Sequence, residues 1–88
     1  MYYVYILQLK NKQLYTGVTK NIKRRMTEHK RGNSKFTQQR LPVRLIHYEA
    51  YLVKEDAKRR EKYLKTTEGK YFLKQQLKQL FKAISLGE

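Results

Sequence analysis

The stretch YYVYILQLKNKQLYTGVT, residues 2–19, decides the fold. Its first part, Tyr2–Leu9, consists almost entirely of β-branched, aromatic and large apolar residues, a composition typical of a strand. Leu14–Thr19 has the same character, and the polar segment Lys10–Gln13 between the two predicts a turn. The sequence therefore predicts that the chain begins with an antiparallel hairpin.

The length of that turn decides how the tyrosines of the hairpin are arranged. A four-residue turn would place Tyr5 and Tyr15 on opposite faces of the sheet, whereas three or five residues, or a bulge, would place them on the same face. Periodicity leaves both registers open. If the faces coincide, Gly17 would allow a phosphate or a backbone to approach closely, because it has no side chain. The ordinary alternative is that strand tyrosines are half-buried packing residues.

Periodicity and capping residues predict the other elements. Asn21 is the expected N-cap of the first helix, and Gly32 is expected to end that helix. The segment 66–69 (TTEG) is expected to separate the last two helices, with a threonine as the N-cap of the final one. In order, these elements are a helix over Ile22–Lys30, a basic loop over residues 31–42, a strand over Val43–Ala50, and helices over Val53–Lys65 and Lys70–Ile84. The predicted architecture is a single α/β domain, residues 1–88: a small sandwich of a three-stranded antiparallel sheet flanked by helices, in the order β-β-α-β-α-α.

Composition limits the classes of function. The 88 residues include 21 Lys and Arg against 7 Asp and Glu, a formal net charge of +14. Such an excess on one small domain indicates a polyanionic partner, most directly nucleic acid, with an anionic membrane surface or a merely solvated basic surface as alternatives. The absence of Cys excludes disulfides, thiolate zinc sites and Cys nucleophiles. We expect no membrane-spanning helix, no signal peptide and a cytoplasmic protein.

Polar residues stand at positions of two helices where apolar ones are expected. Arg25 lies three residues after Ile22, and His29 four residues after Arg25, so both lie on or beside the inner face of the first helix. On the second helix, Arg60 and Glu61 interrupt the stripe formed by Val53, Ala57 and Leu64. A carboxylate there needs a cation or a metal as partner. A snorkelling Arg, a half-buried His and a Glu neutralised by a neighbouring cation are the structural alternatives.

The chain resembles the GIY-YIG endonucleases, in particular small stand-alone bacterial proteins related to the N-terminal catalytic domain of the excision-repair nuclease UvrC. Five segments carry the resemblance, in order along nearly the whole chain. They are Tyr3-Val4-Tyr5; Tyr15-Thr16-Gly17; residues 21–29 (NIKRRMTEH), with an Arg and, four residues on, a His; Lys35-Phe36-Thr37 with Leu41-Pro42; and Arg59-Arg60-Glu61-Lys62. The first motif has Tyr3 in place of Gly, Val18 follows the second motif in place of Lys, and the late Asn of the family is missing.

The resemblance implies hydrolysis of DNA phosphodiester bonds with one Mg²⁺ or Mn²⁺ ion held by Glu61, and it implies that Tyr5 and Tyr15 share a face. Arg25 would stabilise charge on the phosphate. Tyr5 is the first candidate for the general base and His29 the second, with Tyr15 positioning water or phosphate. A tyrosine base at pH 7 needs a nearby cation or metal, and Lys20, Lys23 and Arg25 are candidates for the cation.

The predicted partner is nucleic acid, most directly DNA, with a targeting protein as a further expected partner and the oligomeric state left open. The residues expected to contact DNA surround the motifs: Gly17, Lys20, Lys23, Arg24, Lys35 and Arg40. Two alternatives share the basic surface, namely a nucleic-acid-binding protein that keeps the fold with weak or no catalysis, and a small basic RNA-binding protein. An inward Glu beside an Arg and two tyrosines is needed by a hydrolytic site and not by binding alone.

Overall fold

The computed structural model describes residues 1–87 and, of these, the side chains of residues 1–84. The predicted domain ends at Glu88, which lies outside the described residues. The elements follow the predicted order with one additional helix: β1 (Tyr2–Gln8), β2 (Leu14–Thr19), α1 (Ile22–Lys30), β3 (Arg44–Tyr51), α2 (Lys54–Leu64), α3 (Thr67–Gln76) and α4 (Lys78–Gly87). No helix within residues 1–87 is long and apolar enough to cross a membrane.

The sheet is antiparallel, with β1 in the centre and the order β2-β1-β3. The turn between β1 and β2 has five residues, because Gln8 pairs with Leu14, and it is closed by a hydrogen bond of 2.9 Å from the Leu9 N–H to the Gln13 carbonyl. This is one of the two turn lengths that place Tyr5 and Tyr15 on the same face. The open register is therefore decided in favour of the shared face.

The two faces of β1 supply two separate cores. Val4 and Ile6 pack with residues of α2 and α3, namely Ala57, Leu64 and Leu73. On the opposite face, Tyr5, Leu7, Leu9 and Val43 pack with Ile22 and Met26 of α1. The sheet is thus covered by α1 and the following loop on one side and by α2 and α3 on the other, which confirms the predicted sandwich.

The prediction of one helix over Lys70–Ile84 is wrong, because the chain forms two helices there. The backbone leaves helical geometry at Leu77, with φ −106° and ψ 35°. The sequence around this break contains neither Gly nor Pro, and the apolar residues keep helical spacing on both sides of it. The sequence therefore gives no local signal that the helix ends here. At the break, Leu77 packs against the core formed by Val4 and Ile6.

The start of α3 also differs from the prediction, although Thr66 is its N-cap as expected. Its hydroxyl oxygen accepts a hydrogen bond of 2.9 Å from the Gly69 N–H. Gly69 belongs to the first turn of the helix and not to a break. It is buried, because α3 begins directly against the last turn of α2.

An ion pair fastens α2 to β3. The Glu49 carboxylate accepts hydrogen bonds from Arg60 Nε at 2.9 Å and Nη2 at 3.2 Å, and from the Tyr51 hydroxyl at 2.8 Å, while His47 Nε2 lies 2.9 Å away. Burial by itself would raise the pKa of Glu49, but the bonds from Arg60, His47 and Tyr51 outweigh it and lower the pKa to about 2. Arg60, predicted on the inner stripe of α2, is therefore a cross-link to the sheet, whereas Val53 is the exposed N-cap.

Gly69→Ala is expected to destabilise the fold. A Cβ atom at this position would lie 1.9 Å from the carbonyl oxygen of Tyr63, and a backbone atom cannot rotate away. Alanine gains about 1 kcal/mol of helix propensity over glycine, but overpacking of this kind costs about 1–3 kcal/mol or more. We expect a net loss in the free energy of unfolding, measured with urea.

The matched control is Lys70→Ala, an exposed neighbour in the same helical turn, which should change the free energy of unfolding by no more than about 0.5 kcal/mol. Unchanged or increased stability in Gly69→Ala would contradict the close approach of α3 to α2.

Candidate active site

Tyr5, in the central strand, lies at the centre of a cluster of polar and aromatic side chains. Its side chain is only 2% exposed. In the sheet, Tyr5 pairs with Gly17 on one side and with Tyr48 on the other. The phenol ring runs over Gly17 toward α1, and its hydroxyl meets Arg25 and His29 there.

Gly17 provides the room for this ring. A Cβ atom on Gly17 would lie 2.5 Å from the Tyr5 hydroxyl oxygen and 2.6 Å from Tyr5 Cζ. The space that glycine leaves free is therefore filled by Tyr5. The interpretation of Gly17 as an open approach for a phosphate is wrong at this point, because the missing side chain serves to seat the tyrosine.

His29 is fully buried and bonded at both ring nitrogens. Nε2 lies 3.0 Å from the Tyr5 hydroxyl oxygen, and Nδ1 lies 2.8 Å from Oγ1 of Thr37, itself fully buried. Arg25 can only donate, so the Tyr5 oxygen accepts from Arg25. In the neutral tautomer with the hydrogen on Nδ1, Nδ1 donates to Thr37 and Nε2 can accept the Tyr5 hydroxyl hydrogen.

Arg25 connects the buried tyrosine with solvent. Its Nε donates to the Tyr5 hydroxyl at 3.3 Å, and its Nη1 donates to Glu28 Oε1 at 2.9 Å. The side chain is 30% exposed. A guanidinium has five N–H donors in one plane, so these two bonds leave donors for an anionic ligand at the surface.

Tyr15 is half-buried and completes the aromatic part of the cluster. Its ring centroid lies 6.3 Å from that of Tyr5, 5.3 Å from that of His29 and 5.4 Å from that of Phe36. Edge and tilted contacts at these distances are favourable for aromatic rings. Tyr15 is thus held between the two buried rings and the loop that follows α1.

The environment shifts the pKa values of three of these groups. Burial raises the pKa of Tyr5 to about 12, although the hydrogen bond from Arg25 opposes the shift. Burial, reinforced by the positive charge of Arg25, lowers the pKa of His29. Burial disfavours the charge on Arg25, but its bonds to Tyr5 and Glu28 outweigh this and raise its pKa. At neutral pH, Tyr5 is therefore protonated, His29 is neutral and Arg25 is charged.

The other predicted site residues do not join this cluster. Glu61 lies on α2, on the opposite side of the sheet, with 17% of its side chain exposed and Lys65 Nζ at 3.2 Å from Oε2. Of the three cations proposed to lie near Tyr5, Arg25 contacts it, whereas the Lys20 ammonium lies 5.3 Å from the Tyr2 ring centroid. Residues 1–87 contain no group of three or more His, Asp or Glu side chains placed to hold a metal ion.

The remaining residues predicted to bind DNA lie around the α1 side of the sheet. Lys23 and Lys35 are exposed. Arg24 lies 3.9 Å from Glu28, and Arg40 lies over the Phe36 ring, 4.3 Å from its centroid, while donating to the Phe36 carbonyl. Arg40 thereby closes the basic loop on itself.

Sequence reasoning missed two residues of the cluster. Thr37 Oγ1 lies 2.8 Å from His29 Nδ1, and Glu28 holds the far end of Arg25. Glu28 stands three residues after Arg25, a spacing at which helical side chains meet, so this signal was available. Thr37 gave no such signal, since it contacts His29 only because the loop folds back on α1.

The chain matches the family model of the GIY-YIG catalytic domain over residues 1–78. It belongs to the GIY-YIG family. A UPF0213 protein of Clostridium perfringens is 44% identical over 66 residues, which cover 74% of this chain and 71% of the relative. A UPF0213 protein of Natronomonas pharaonis is 42% identical over 66 residues, 74% and 78% of the two chains.

The fold of this GIY-YIG domain is also that of a solved relative. The solution NMR structure of a UPF0213 protein from Bacillus halodurans matches with a TM-score of 0.57 and 37% sequence identity, covering 88% of this chain and 86% of that one. The resemblance inferred from the motifs is thereby confirmed. A GIY-YIG catalytic domain indicates a nuclease, and hence a nucleic-acid substrate.

Gly17→Ala should displace Tyr5 from its bonds with Arg25 and His29, because Tyr5 is enclosed and cannot yield. We expect the free energy of unfolding to fall by about 1–3 kcal/mol and the near-UV circular dichroism of the tyrosines to change. Val18→Ala, at the next position of the same strand, is the control for loss of strand propensity alone. Unaltered tyrosine dichroism in Gly17→Ala would show that the ring does not depend on this space.

Protonation of His29 should destabilise the folded state. Its pKa is lower in the folded than in the unfolded chain, so below about pH 6.5 the unfolded state binds more protons. The stabilisation is complete above that pH and is lost as pH falls below it, by up to about 1.4 kcal/mol per pH unit. Urea unfolding at pH 7.5 and 5.5 measures this loss.

His29→Gln should show a smaller decrease between the same two pH values. The Glu49 carboxylate does not contribute in this interval, because its titration lies between its ordinary pKa near 4.5 and its folded value of about 2. Equal decreases in the two proteins would mean that His29 is not held neutral by the fold.

Proposed function

We propose that this GIY-YIG protein is a metal-dependent endonuclease that hydrolyses DNA phosphodiester bonds. The observation that carries the proposal is the double contact of the buried Tyr5 hydroxyl, which lies 3.0 Å from the neutral His29 and 3.3 Å from the charged Arg25. One neighbour can take a proton and the other can stabilise negative charge. Packing alone requires neither group.

Tyr5 and His29 together would act as the base. As the attacking water gives its proton to the Tyr5 oxygen, the phenolic hydrogen passes to His29 Nε2, and Thr37 holds the Nδ1 hydrogen of the resulting imidazolium. The phenolate never has to persist, which suits a tyrosine with a pKa of about 12. Tyr15, half-buried beside both rings, would position the water or the phosphate.

Arg25 would bind the scissile phosphate with the donors that Tyr5 and Glu28 leave free. Its planar guanidinium suits two oxygens of one phosphate, and its partial exposure allows contact with a bound strand. Because both partners hold the side chain in place before substrate arrives, little reorganisation is needed as charge builds on the phosphate.

Glu61 is the residue we propose as ligand of the divalent ion. Its largely buried carboxylate is a hard oxygen donor, and it forms an ion pair with Lys65, whose side chain is 57% exposed. An ion pair with an exposed partner stabilises the protein by only about 0–1 kcal/mol. A divalent cation could therefore replace Lys65 as the partner of this carboxylate at little cost. Mg²⁺ or Mn²⁺ retains several waters and needs only one or two carboxylates; when bound, it would stabilise charge on the phosphate and on the leaving oxygen. This assignment rests on the donor chemistry and on family membership and not on contact with the Tyr5 cluster, because α2 packs on the other face of the sheet.

The basic surface supports DNA as the substrate. A net charge of +14 on 88 residues favours contacts with phosphates, which position a nucleic acid without reading its sequence. A targeting partner protein, a cytoplasmic location and a role in DNA repair are further parts of the proposal. They are supported by the small size of the domain, the absence of Cys and the resemblance to UvrC.

Arg25→Ala and Glu61→Gln should each abolish most cleavage of labelled single-stranded, duplex and branched DNA in Mg²⁺ or Mn²⁺. Loss of one preorganised donor to a transition-state charge typically costs about 10²–10³ in rate. EDTA should stop cleavage by the wild type. Glu61→Gln should bind DNA as the wild type does, because it removes no cationic group.

Glu68→Gln, an exposed carboxylate in the first turn of α3, is the matched control and should cleave normally. Full activity in Glu61→Gln would remove Glu61 from the site. Binding of every substrate without cleavage by the wild type would instead favour the catalytically inactive binding protein.

A further inference from the structure

A groove beside the candidate active site has no part in the proposed reaction. It has a volume of about 410 Å³ and lies on the same face of the sheet as Tyr5, between the first turn of α1 and the strands β1 and β3. Its lining combines two aromatic rings with two cations and two side chains of the α1 N-terminus: Tyr3, Tyr48, Lys20, Lys23, Asn21 and Ile22.

The two tyrosines form one aromatic surface, in which Tyr3 is half-buried and Tyr48 is exposed. Their rings meet edge to face, with centroids 6.1 Å apart and planes at 68°. Tyr48 is 55% exposed, so packing in a core does not explain why an aromatic residue stands at this position. Tyr48 is also the register partner of Tyr5 on β3, which places the aromatic surface one strand spacing from the centre of the candidate active site.

An exposed cation, Lys23, lies on the α1 side of the groove. The Lys20 ammonium is turned to the Tyr2 ring, which packs on the other face of the sheet. Lys23 stands two residues before Arg25 on the same helix. The groove therefore lies within one helical turn of Arg25.

A ring face and an adjacent cation are complementary to one kind of ligand. Sequence-independent binding of single strands combines aromatic side chains, on which bases stack, with a basic groove that follows the backbone. In a duplex, each base is stacked between its neighbours, and its face is unavailable to a protein side chain. The groove therefore fits a nucleotide whose base is unpaired.

We propose that Tyr48, supported by Tyr3, binds an unpaired base of the DNA next to the scissile phosphate, while Lys23 binds a phosphate of the same strand. This base-binding role extends the proposed function. It depends on that function in one respect, that the bound strand is the substrate. It assigns DNA with unpaired nucleotides beside the cleavage position as the preferred substrate.

The test measures binding in EDTA, so that it does not depend on cleavage. Three fluorescent ligands of equal strand length are compared: a single strand of twelve thymidines, the same backbone with abasic sugars, and a duplex. Tyr48→Val keeps a β-branched residue in the strand and removes the ring, and Tyr48→Phe keeps the ring. Tyr71→Val is the matched control, since Tyr71 is 57% exposed but lies on α3.

We expect Tyr48→Val to weaken binding of the thymidine strand roughly five- to hundred-fold, the range for loss of one stacked base. Tyr48→Phe and Tyr71→Val should bind it as the wild type does. None of the variants should alter binding of the abasic strand or the duplex. If the wild type does not cleave DNA but these binding results are obtained, the proposed nuclease activity is contradicted and the proposed base-binding groove is not.

Two results would overturn the proposal. Equal affinity of Tyr48→Val and the wild type for the thymidine strand would show that no base stacks on the ring. An equal loss for the abasic strand would show that the substitution disturbs the basic surface instead. Urea unfolding of Tyr48→Val identifies misfolding, and Lys23→Gln, which should weaken thymidine and abasic strands alike, tests the groove without changing the sheet.

Discussion

The contact between the Tyr5 hydroxyl and the α1 side chains above it is the constraint on which the α1 half of the molecule depends. Tyr5 must cross β2 to reach Arg25 and His29, and it can do so only where β2 has no Cβ atom, at Gly17. The other ring nitrogen of His29 is hydrogen-bonded to Thr37 in the loop that follows α1. One strand, one helix and one loop thus meet around a single phenol, and burial there keeps Tyr5 protonated and His29 neutral.

The central strand divides its side chains between two tasks. Val4 and Ile6 point to α2 and α3 and form a core with the buried apolar residues Ala57, Leu64 and Leu73. Tyr5 points to α1 and is a core residue and a candidate catalytic residue at once. In a domain this small, the buried fraction of the surface is low, so the site cannot be built apart from the core. Substitutions at Tyr5 therefore affect stability and chemistry together.

Much of this arrangement could be predicted from the sequence, and the failures have specific causes. Strand composition, the caps Asn21 and Thr66 and the five ordered motifs gave the fold, because each is a local signal. The register of the hairpin was not readable, since it depends on a five-residue turn in which Lys12 adopts a positive φ of 72°. The break at Leu77 was missed because apolar spacing continues through it.

The candidate site shows the same division between local and long-range signals. The pairing of Arg25 and His29 on one helix face followed from their spacing. The raised pKa of Tyr5 did not, because the nearby cation suggested a lowered value and only the packed structure reveals how strongly the ring is buried. The role of Thr37 depends on how a loop folds back, which no periodicity encodes.

The ion pair between Glu49 and Arg60 and the exposed cations of the surface respond differently to salt. The cations at the surface are exposed and within reach of counterions, so their hold on a polyanion weakens steeply as ionic strength rises. The Glu49–Arg60 pair is largely shielded from solvent, with side chains 17% and 26% exposed, and is fixed by two hydrogen bonds. It orients the helix that carries Glu61, the next residue along. Ionic strength can therefore release the substrate while leaving the framework of the site in place.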